Sequence, residues 1–374
     1  MSKKTIFFLP TLGGGGAERT VIQLANSFVE QGIYTEIIVC NTQGEKGKLL
    51  AEIHPNINLL DLNCGRVAHA ILPLARLLKQ RNDDVLIATQ THSNIVCAIA
   101  KKIARSNTQL IFREVSTSSQ NIKLTGMKKN ILKTMVRCTY PMAKQVVCVS
   151  KGVQQDFIEY YAYSHSNLTT IYNPVIDASY FKKLEATVSH RFFSADHKVI
   201  LAIGRLTEAK NFNFLIRSFH QLYQQHTNVR LIILGEGELR TELETLVQDL
   251  GMTDVVDLAG FDLNPYAYFK YVDLFVLSSN WEGLPGVLIQ ALASKVKIVS
   301  TNCPSGPMEI LSNAKFGLLV ECNDVDGMSQ AMQQAIFADY VSYDAEEFTV
   351  HCQQFYKANV LQRYLQLLES SAHD

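Results

Sequence analysis

Thr5-Ile6-Phe7-Phe8-Leu9-Pro10-Thr11-Leu12-Gly13-Gly14-Gly15-Gly16-Ala17-Glu18-Arg19 passes from an apolar, β-rich run through four consecutive glycines into an amphipathic pattern over residues 17–31. The order strand, glycine loop, helix is either a structural tight turn or a place where backbone meets a ligand, and four glycines, which cost backbone entropy, favour the second. Gly14, Gly15 and Gly16 let the backbone approach a ligand, and the helix that follows offers unpaired N–H groups and a positive dipole end to a phosphate or sugar oxygen. A nicotinamide dinucleotide would want an acidic residue at the end of the second strand, to hold its ribose. That strand ends in Cys40-Asn41-Thr42, which disfavours NAD.

The same alternation continues along the chain. Short β-branched runs stand at 5–9, 34–40, 85–89, 109–112, 145–149 and 168–171, and again at 199–203, 230–234, 255–258, 274–277, 297–300 and 317–320. Several are almost wholly apolar, as strands covered by helices on both faces are. Helical periodicity fills the gaps, for example at 213–225, 239–250 and 288–294. A strand–helix series run twice over 374 residues predicts two doubly wound, parallel-sheet α/β domains. Tyr172-Asn173-Pro174 is the natural joint, because proline pushes its predecessor out of helix. We therefore expect domains at 1–174 and 175–354, with a last helical segment, 355–374, packing back on the first.

Composition is that of an ordinary folded protein, 47% hydrophobic and 19% charged. The zero net charge hides a division: residues 1–174 carry 20 basic and 11 acidic side chains, and 175–374 carry 15 and 24. From Lys101 to Lys151, eleven basic residues face one acid, Glu114. Such a field attracts anions; nucleic acid, anionic lipid and a pyrophosphate fit it, and so does a merely solvated basic face. The eight cysteines form neither a C-x-x-C pair nor a zinc-type spacing. The start, MSKKTIFFLP, is too short in apolar length for a signal or spanning segment, and no run reaches about 18 apolar residues. A cytoplasmic location is the expectation.

The second half supplies the charged chemistry. GRLTEAKN places Gly204, Arg205 and Lys210 after the strand 199–203, where open α/β sheets bind ligands and where two cations can stabilise a leaving diphosphate in place of a metal. Gly235, Glu236 and Gly237 form a second glycine loop, with backbone room for a base. Glu282 heads the loop Glu282-Gly283-Leu284-Pro285-Gly286-Val287, which turns into an apolar helix containing Gln290. Asp324-Val325-Asp326 has the form of a metal-binding D-x-D, yet its place before a helix reads better as an N-cap. No metal site is expected.

These pieces together resemble glycosyltransferase family 4, the large family of retaining transferases with the GT-B fold, two Rossmann-like domains facing a central cleft. GGAER, YNP, GRL…KN, LGEG, EGLPGVLIQA and CPSGPMEIL (303–311) occur in family order over nearly the whole chain. The resemblance implies that Arg205 and Lys210 bind the donor diphosphate and Glu282 the donor sugar. It gives sugar and phosphate oxygens to the N–H groups of Leu284, Pro285's loop, Gly286 and Val287, and groups Phe261 with the donor-binding residues. Two positions depart from the family. Gln290 stands where a glutamate usually accepts the ribose hydroxyls, and Val115 stands in Arg113-Glu114-Val115 where many members carry histidine. His92, after the strand 85–89, is the remaining polar partner for an acceptor hydroxyl.

Residues 123–143 put Leu124, Met127, Ile131, Met135 and Val136 at helical spacing, with Lys128, Lys129, Lys133 and Arg137 among them. A cationic amphipathic helix can lie on an anionic membrane, although an apolar stripe packed on a sheet has the same pattern. We group Arg19, Arg113, Lys128, Lys129 and Lys133 as acceptor or membrane residues. The function expected is transfer of a hexose or N-acetylhexosamine from a UDP-sugar to an undecaprenyl-pyrophosphate-linked saccharide in surface-polysaccharide synthesis. It would take place at the inner face of the cytoplasmic membrane, with no cofactor beyond the nucleotide sugar and no nucleic acid partner. The rivals are a GT-B epimerase of UDP-N-acetylglucosamine and a non-catalytic module that binds anionic surfaces.

Overall fold

A computed structural model describes residues 4–81, 84–122 and 124–369. Lys123, at the head of the cationic segment, and residues 370–374 of the last helical segment lie outside them.

Seven strands form the first sheet: β1 (Thr5–Leu9), β2 (Thr35–Val39), β3 (Asn58–Asp61), β4 (Val85–Thr89), β5 (Gln109–Glu114), β6 (Gln145–Cys148) and β7 (Leu168–Thr170). Their order is β3-β2-β1-β4-β5-β6-β7, every pair parallel. β1, β2 and β4 are buried at every position, as their largely apolar sequences require, and the one charged residue among them, Glu36 of β2, is paired with Arg81. β3 has no counterpart among the sequence expectations. Its exposed and half-buried NLLD is an edge strand, too short and too polar to register as a run of its own.

Six strands form the second sheet: β8 (Lys198–Ile203), β9 (Val229–Leu234), β10 (Val256–Gly260), β11 (Leu274–Leu277), β12 (Lys297–Thr301) and β13 (Leu318–Val320). They run β10-β9-β8-β11-β12-β13, again all parallel. In each sheet the first strand sits between the second and fourth of its series, so the order reverses between β1 and β4 and between β8 and β11. Such a reversal opens a crevice at the strands' carboxyl ends.

The chain divides into two compact units, Met1–Pro174 with Lys357–Asp374, and Val175–Tyr356. Phe355 and Tyr356 stay with the second unit, where Phe355 O accepts the N–H groups of Val175 and Ile176. The helix Lys357–Glu369 belongs to the first. Val360, Leu361 and Tyr364 are buried in the same core as Phe7, Val21 and Phe28 of β1 and the helix Gly16–Glu30. Full burial of an apolar side chain of this size is worth about 1.5–3 kcal/mol, enough to hold the helix there. Among the described residues no helix is long and apolar enough to cross a membrane.

Candidate functional site

In the second unit the loops after β8 and β11 meet at the reversal point. The N–H of Asn280 donates to Ala209 O at 2.8 Å, and Ser278 Oγ donates to Lys210 O at 2.8 Å. Asn211, held at a positive φ, donates from Nδ2 to Asn280 Oδ1 and Asn323 Oδ1, both at 2.9 Å. These bonds fix Lys210, whose Nζ donates to Glu282 Oε1 at 2.5 Å. Glu282 also accepts from Ser279 Oγ at 2.7 Å, and the side chains of the pair are only 20% and 13% exposed. Little water screens such a pair, so its geometry is held. Arg205, five residues before Lys210, is exposed and has no carboxylate partner among the described residues. Among the described residues the crevice thus carries an internally neutralised pair, Lys210 with Glu282, and the exposed cation Arg205.

The surrounding backbone explains the glycines. Gly235 has φ +145°, and a Cβ there would stand 1.8 Å from Gly204 O; one on Gly237 would stand 2.3 Å from Leu206 O. These glycines admit the loop after β8, which Gly204 and Leu206 anchor through N–H bonds to Leu234 O and Glu236 O. The room they make is filled by protein backbone, so Gly235 and Gly237 shape the crevice from behind. Glu236 pairs with Arg240. Phe261, after β10, is 67% exposed.

The loop after β12 closes the other side. Pro304 O accepts the N–H of Glu282, and Ser305 Oγ donates to Gly283 O at 2.7 Å. Leu284 and Pro285 are buried, and the helix begins only at Gly286. Glu282 and Gln290 therefore do not share a helix. The N–H groups of Gly286 and Val287 fall in its first turn, where they have no intrahelical acceptor. Gln290 is half-buried, and its backbone carbonyl accepts from Tyr180 Oη. Buried Cys303 lies close by, its thiol pushed up by burial and then by the Glu282 carboxylate. Asp324 is the N-cap of the helix Val325–Phe337, accepting from Gly327 N at 2.9 Å, while Asp326 accepts from Gln221. The D-x-D is a helix cap. Sequence reading missed Ser279, Asn280 and Asn211, although Ser278-Ser279 are the first polar residues after the apolar β11.

The first unit's reversal point differs. Glu18 reaches back over the glycine loop, accepting from Gly15 N at 2.6 Å and from Thr11 Oγ1 at 2.7 Å. The N–H of Gly15, expected to meet a ligand, meets this carboxylate. Arg19 forms a forked pair with Glu52 at 3.0 and 3.2 Å. His92 is exposed in the first turn of the helix Thr91–Ala104.

Arg113 is the clear correction. Its side chain is fully buried and touches neither acceptor nor membrane surface. Nε donates to Tyr364 Oη at 2.8 Å, one NH2 to Asn173 Oδ1 at 3.0 Å and the other to Thr89 Oγ1 at 3.5 Å. Its neighbour Glu114 points to the other face of the sheet, as alternate strand residues do. There Tyr140 Oη, Thr91 Oγ1 and Asn94 Nδ2 donate to it. Burial pushes its carboxyl up to about 7, although the three donors pull it down. The cationic helix, Gly126–Thr139, is also divided: Lys129 and Lys133 lie over the Tyr160 ring at 5.1 and 4.6 Å, Val136 is buried, and Lys128, Met127 and Ile131 face outward.

Each unit matches a family model: residues 14–178 match Glycosyltransferase Family 4 and residues 188–340 match Glycosyl transferases group 1. A Campylobacter jejuni N-acetylgalactosamine-N,N'-diacetylbacillosaminyl-diphospho-undecaprenol 4-alpha-N-acetylgalactosaminyltransferase is 28% identical over 90% of this chain and 91% of its own. A second C. jejuni enzyme, a GalNAc-alpha-(1->4)-GalNAc-alpha-(1->3)-diNAcBac-PP-undecaprenol alpha-1,4-N-acetyl-D-galactosaminyltransferase, is 26% identical over 98% of each chain. Among solved structures, Anabaena HepE in complex with UDP superposes with a TM-score of 0.77 at 18% identity, covering 98% of this chain and all of that one. That likeness is one of fold.

Proposed function

The chain belongs to the family 4 glycosyltransferases of GT-B fold, acting in polysaccharide synthesis, and we propose that it moves an N-acetylhexosamine or hexose from a UDP-sugar to a lipid-diphosphate-linked saccharide with retention of anomeric configuration. The observation that carries this reading is the free Arg205 beside the Lys210–Glu282 pair at the second unit's reversal point. A nucleoside diphosphate arriving there meets a net positive charge. Lys210 has three N–H donors, so it keeps Glu282 while turning another to a phosphate oxygen. Glu282, held by Lys210 and Ser279, accepts a hydroxyl of the sugar. Phe261 offers its ring to the base, and the first-turn N–H groups at Gly286 and Val287 take phosphate or sugar oxygens.

In the transfer, the acceptor oxygen bonds to C1 of the sugar as the bond from C1 to the diphosphate oxygen breaks. The acceptor proton passes to an oxygen of the departing UDP on the same face. Arg205 and Lys210 stabilise the charge that develops on that leaving group, the work a divalent cation does in other transferases. Two relatives named for diphospho-undecaprenol acceptors support the acceptor class, and the UDP held by HepE supports the donor. The exposed Met127 and Ile131 beside Lys128 support work at the inner face of the cytoplasmic membrane.

A donor panel tests the proposal. Transfer and nucleotide release are measured with UDP- and GDP-linked hexoses and N-acetylhexosamines, a polyprenyl-diphosphate saccharide and EDTA. We expect turnover with a UDP-sugar in the presence of chelator. Turnover with GDP-sugars alone would overturn the donor, and dependence on added Mg²⁺ the metal-free mechanism.

A further inference from the structure

A groove of about 420 Å³ lies wholly within the first unit, apart from the crevice of the second. Val67, Ala68 and Ile71 form one wall and the helix Thr91–Ala104 forms its floor, with Ile95, Val96 and Ile99. Leu124, Ile131, Leu132 and Met135 form the other wall. Among the described residues two polar side chains line it, His92 and Lys128, and both are exposed. His92 is in the first turn of its helix, at the carboxyl end of β4, and Ile99 is seven residues further on, about 10 Å along the axis. Apart from His92 and Lys128 the described lining is apolar. Its outer lip, Ile131, is 52% exposed, and adjoining Met127 is 78% exposed.

Apolar surface of this kind left open to water marks a binding site, and the polar groups say for what. Lys128 and His92 can both donate to an anion while the walls offer nothing polar to a chain running away from it. A molecule with an anionic head and an extended hydrocarbon tail fits; a free sugar or a nucleotide does not. Resting on the acceptor class proposed above, we propose that this groove holds the isoprenoid chain of the lipid-diphosphate acceptor next to its diphosphate, with Lys128 and His92 taking the phosphate oxygens. The acceptor would then be recognised by its lipid as well as by its saccharide.

The test is binding of a fluorescent C15 isoprenyl diphosphate to the full-length protein, followed by anisotropy and competed with other lipids. Ile131→Asp places a charge on the exposed lip and Ile99→Trp fills the trough; each should weaken binding about tenfold. Lys128→Ala should weaken it about fivefold and lower its dependence on salt. Thermal melts of the variants identify any that are unfolded, and exposed Ile131→Asp and Lys128→Ala carry the test if Ile99→Trp is one. Unlabelled isoprenyl diphosphate should compete, and phosphatidylglycerol vesicles should not. Equal competition by vesicles would make the groove a general membrane contact and overturn the proposal, as would wild-type binding in the folded variants. Groove-dependent binding without sugar transfer would sink the transferase acceptor instead, and transfer indifferent to these substitutions would sink the groove alone.

Discussion

The two units share the strand order 3-2-1-4-5-6, to which the first adds a seventh strand, and differ in the group at the reversal point: a carboxylate over the glycine loop in the first, an exposed cation in the second. In the first, Glu18 caps the glycine loop and Glu114 is buried one strand away from β4's edge of the crevice. In the second, Arg205 stands free and Lys210 is held by Glu282. Net charge by sequence runs the other way, since residues 1–174 are basic and 175–374 acidic. The comparison teaches that the charge of a domain and the charge of its ligand crevice are separate quantities. The first attracts partners from a distance, and the second is set by the few residues that end the strands.

Arg205→Ala breaks this difference most directly. It removes a crevice cation that has no carboxylate partner among the described residues, and loss of such a transition-state donor costs about 10²–10³ in kcat. A variant transferring sugar at the wild-type rate would show that the diphosphate is held elsewhere.

Tyr364→Phe probes how each unit holds its buried cation. Lys210 has a carboxylate, whereas the partners of Arg113 among the described residues are the neutral oxygens of Tyr364, Asn173 and Thr89. Guanidinium stays charged when buried, so the lost hydrogen bond should cost about 1.5–3 kcal/mol. The denaturation midpoint is the measurement, with UDP binding by the second unit unaffected. An unchanged midpoint would mean that Arg113 is satisfied without the C-terminal helix.

The smallest effect is the pH dependence carried by Glu114. Its folded carboxyl keeps a proton up to about 7, whereas an ordinary glutamate gives its proton up near 4.5. Between these values the folded state binds more protons than the unfolded one, so this group's contribution to stability falls as pH rises through the window. Glu114→Gln removes the titration. Melting temperatures of wild type and variant between about pH 5 and 8 should diverge, the wild type losing ground as pH rises. Parallel curves would place the Glu114 proton elsewhere in its bonds with Tyr140 and Asn94.

Arg113 and Glu114 also show where sequence reading stopped. A linear charge count took in both, Arg113 among eleven bases and Glu114 as the lone acid, and from it Arg113 was grouped with the acceptor or membrane residues. A count along the chain does not say which face of a strand a residue occupies or what covers that face. Arg113 is covered by a helix 251 residues further on, and nothing in its own neighbourhood announces Tyr364. β3 was hidden for a different reason, since an edge strand has neither the apolar run of a buried one nor a length that outvotes its neighbours.

By itself the sequence determined two parallel α/β units, because unbroken apolar strands alternating with amphipathic helices have few other ways to bury themselves. It also placed Gly204, Arg205, Lys210 and Glu282 at strand ends, because loop positions follow directly from where apolar runs stop. Only the tertiary structure decided the partners. It gave Lys210 to Glu282, Gly15 to Glu18, and Gly235 to the backbone of Gly204; it buried Arg113 and opened the trough from His92 to Ile99. Those are distances between elements far apart in the chain, and they are fixed by how the strands order and the helices pack.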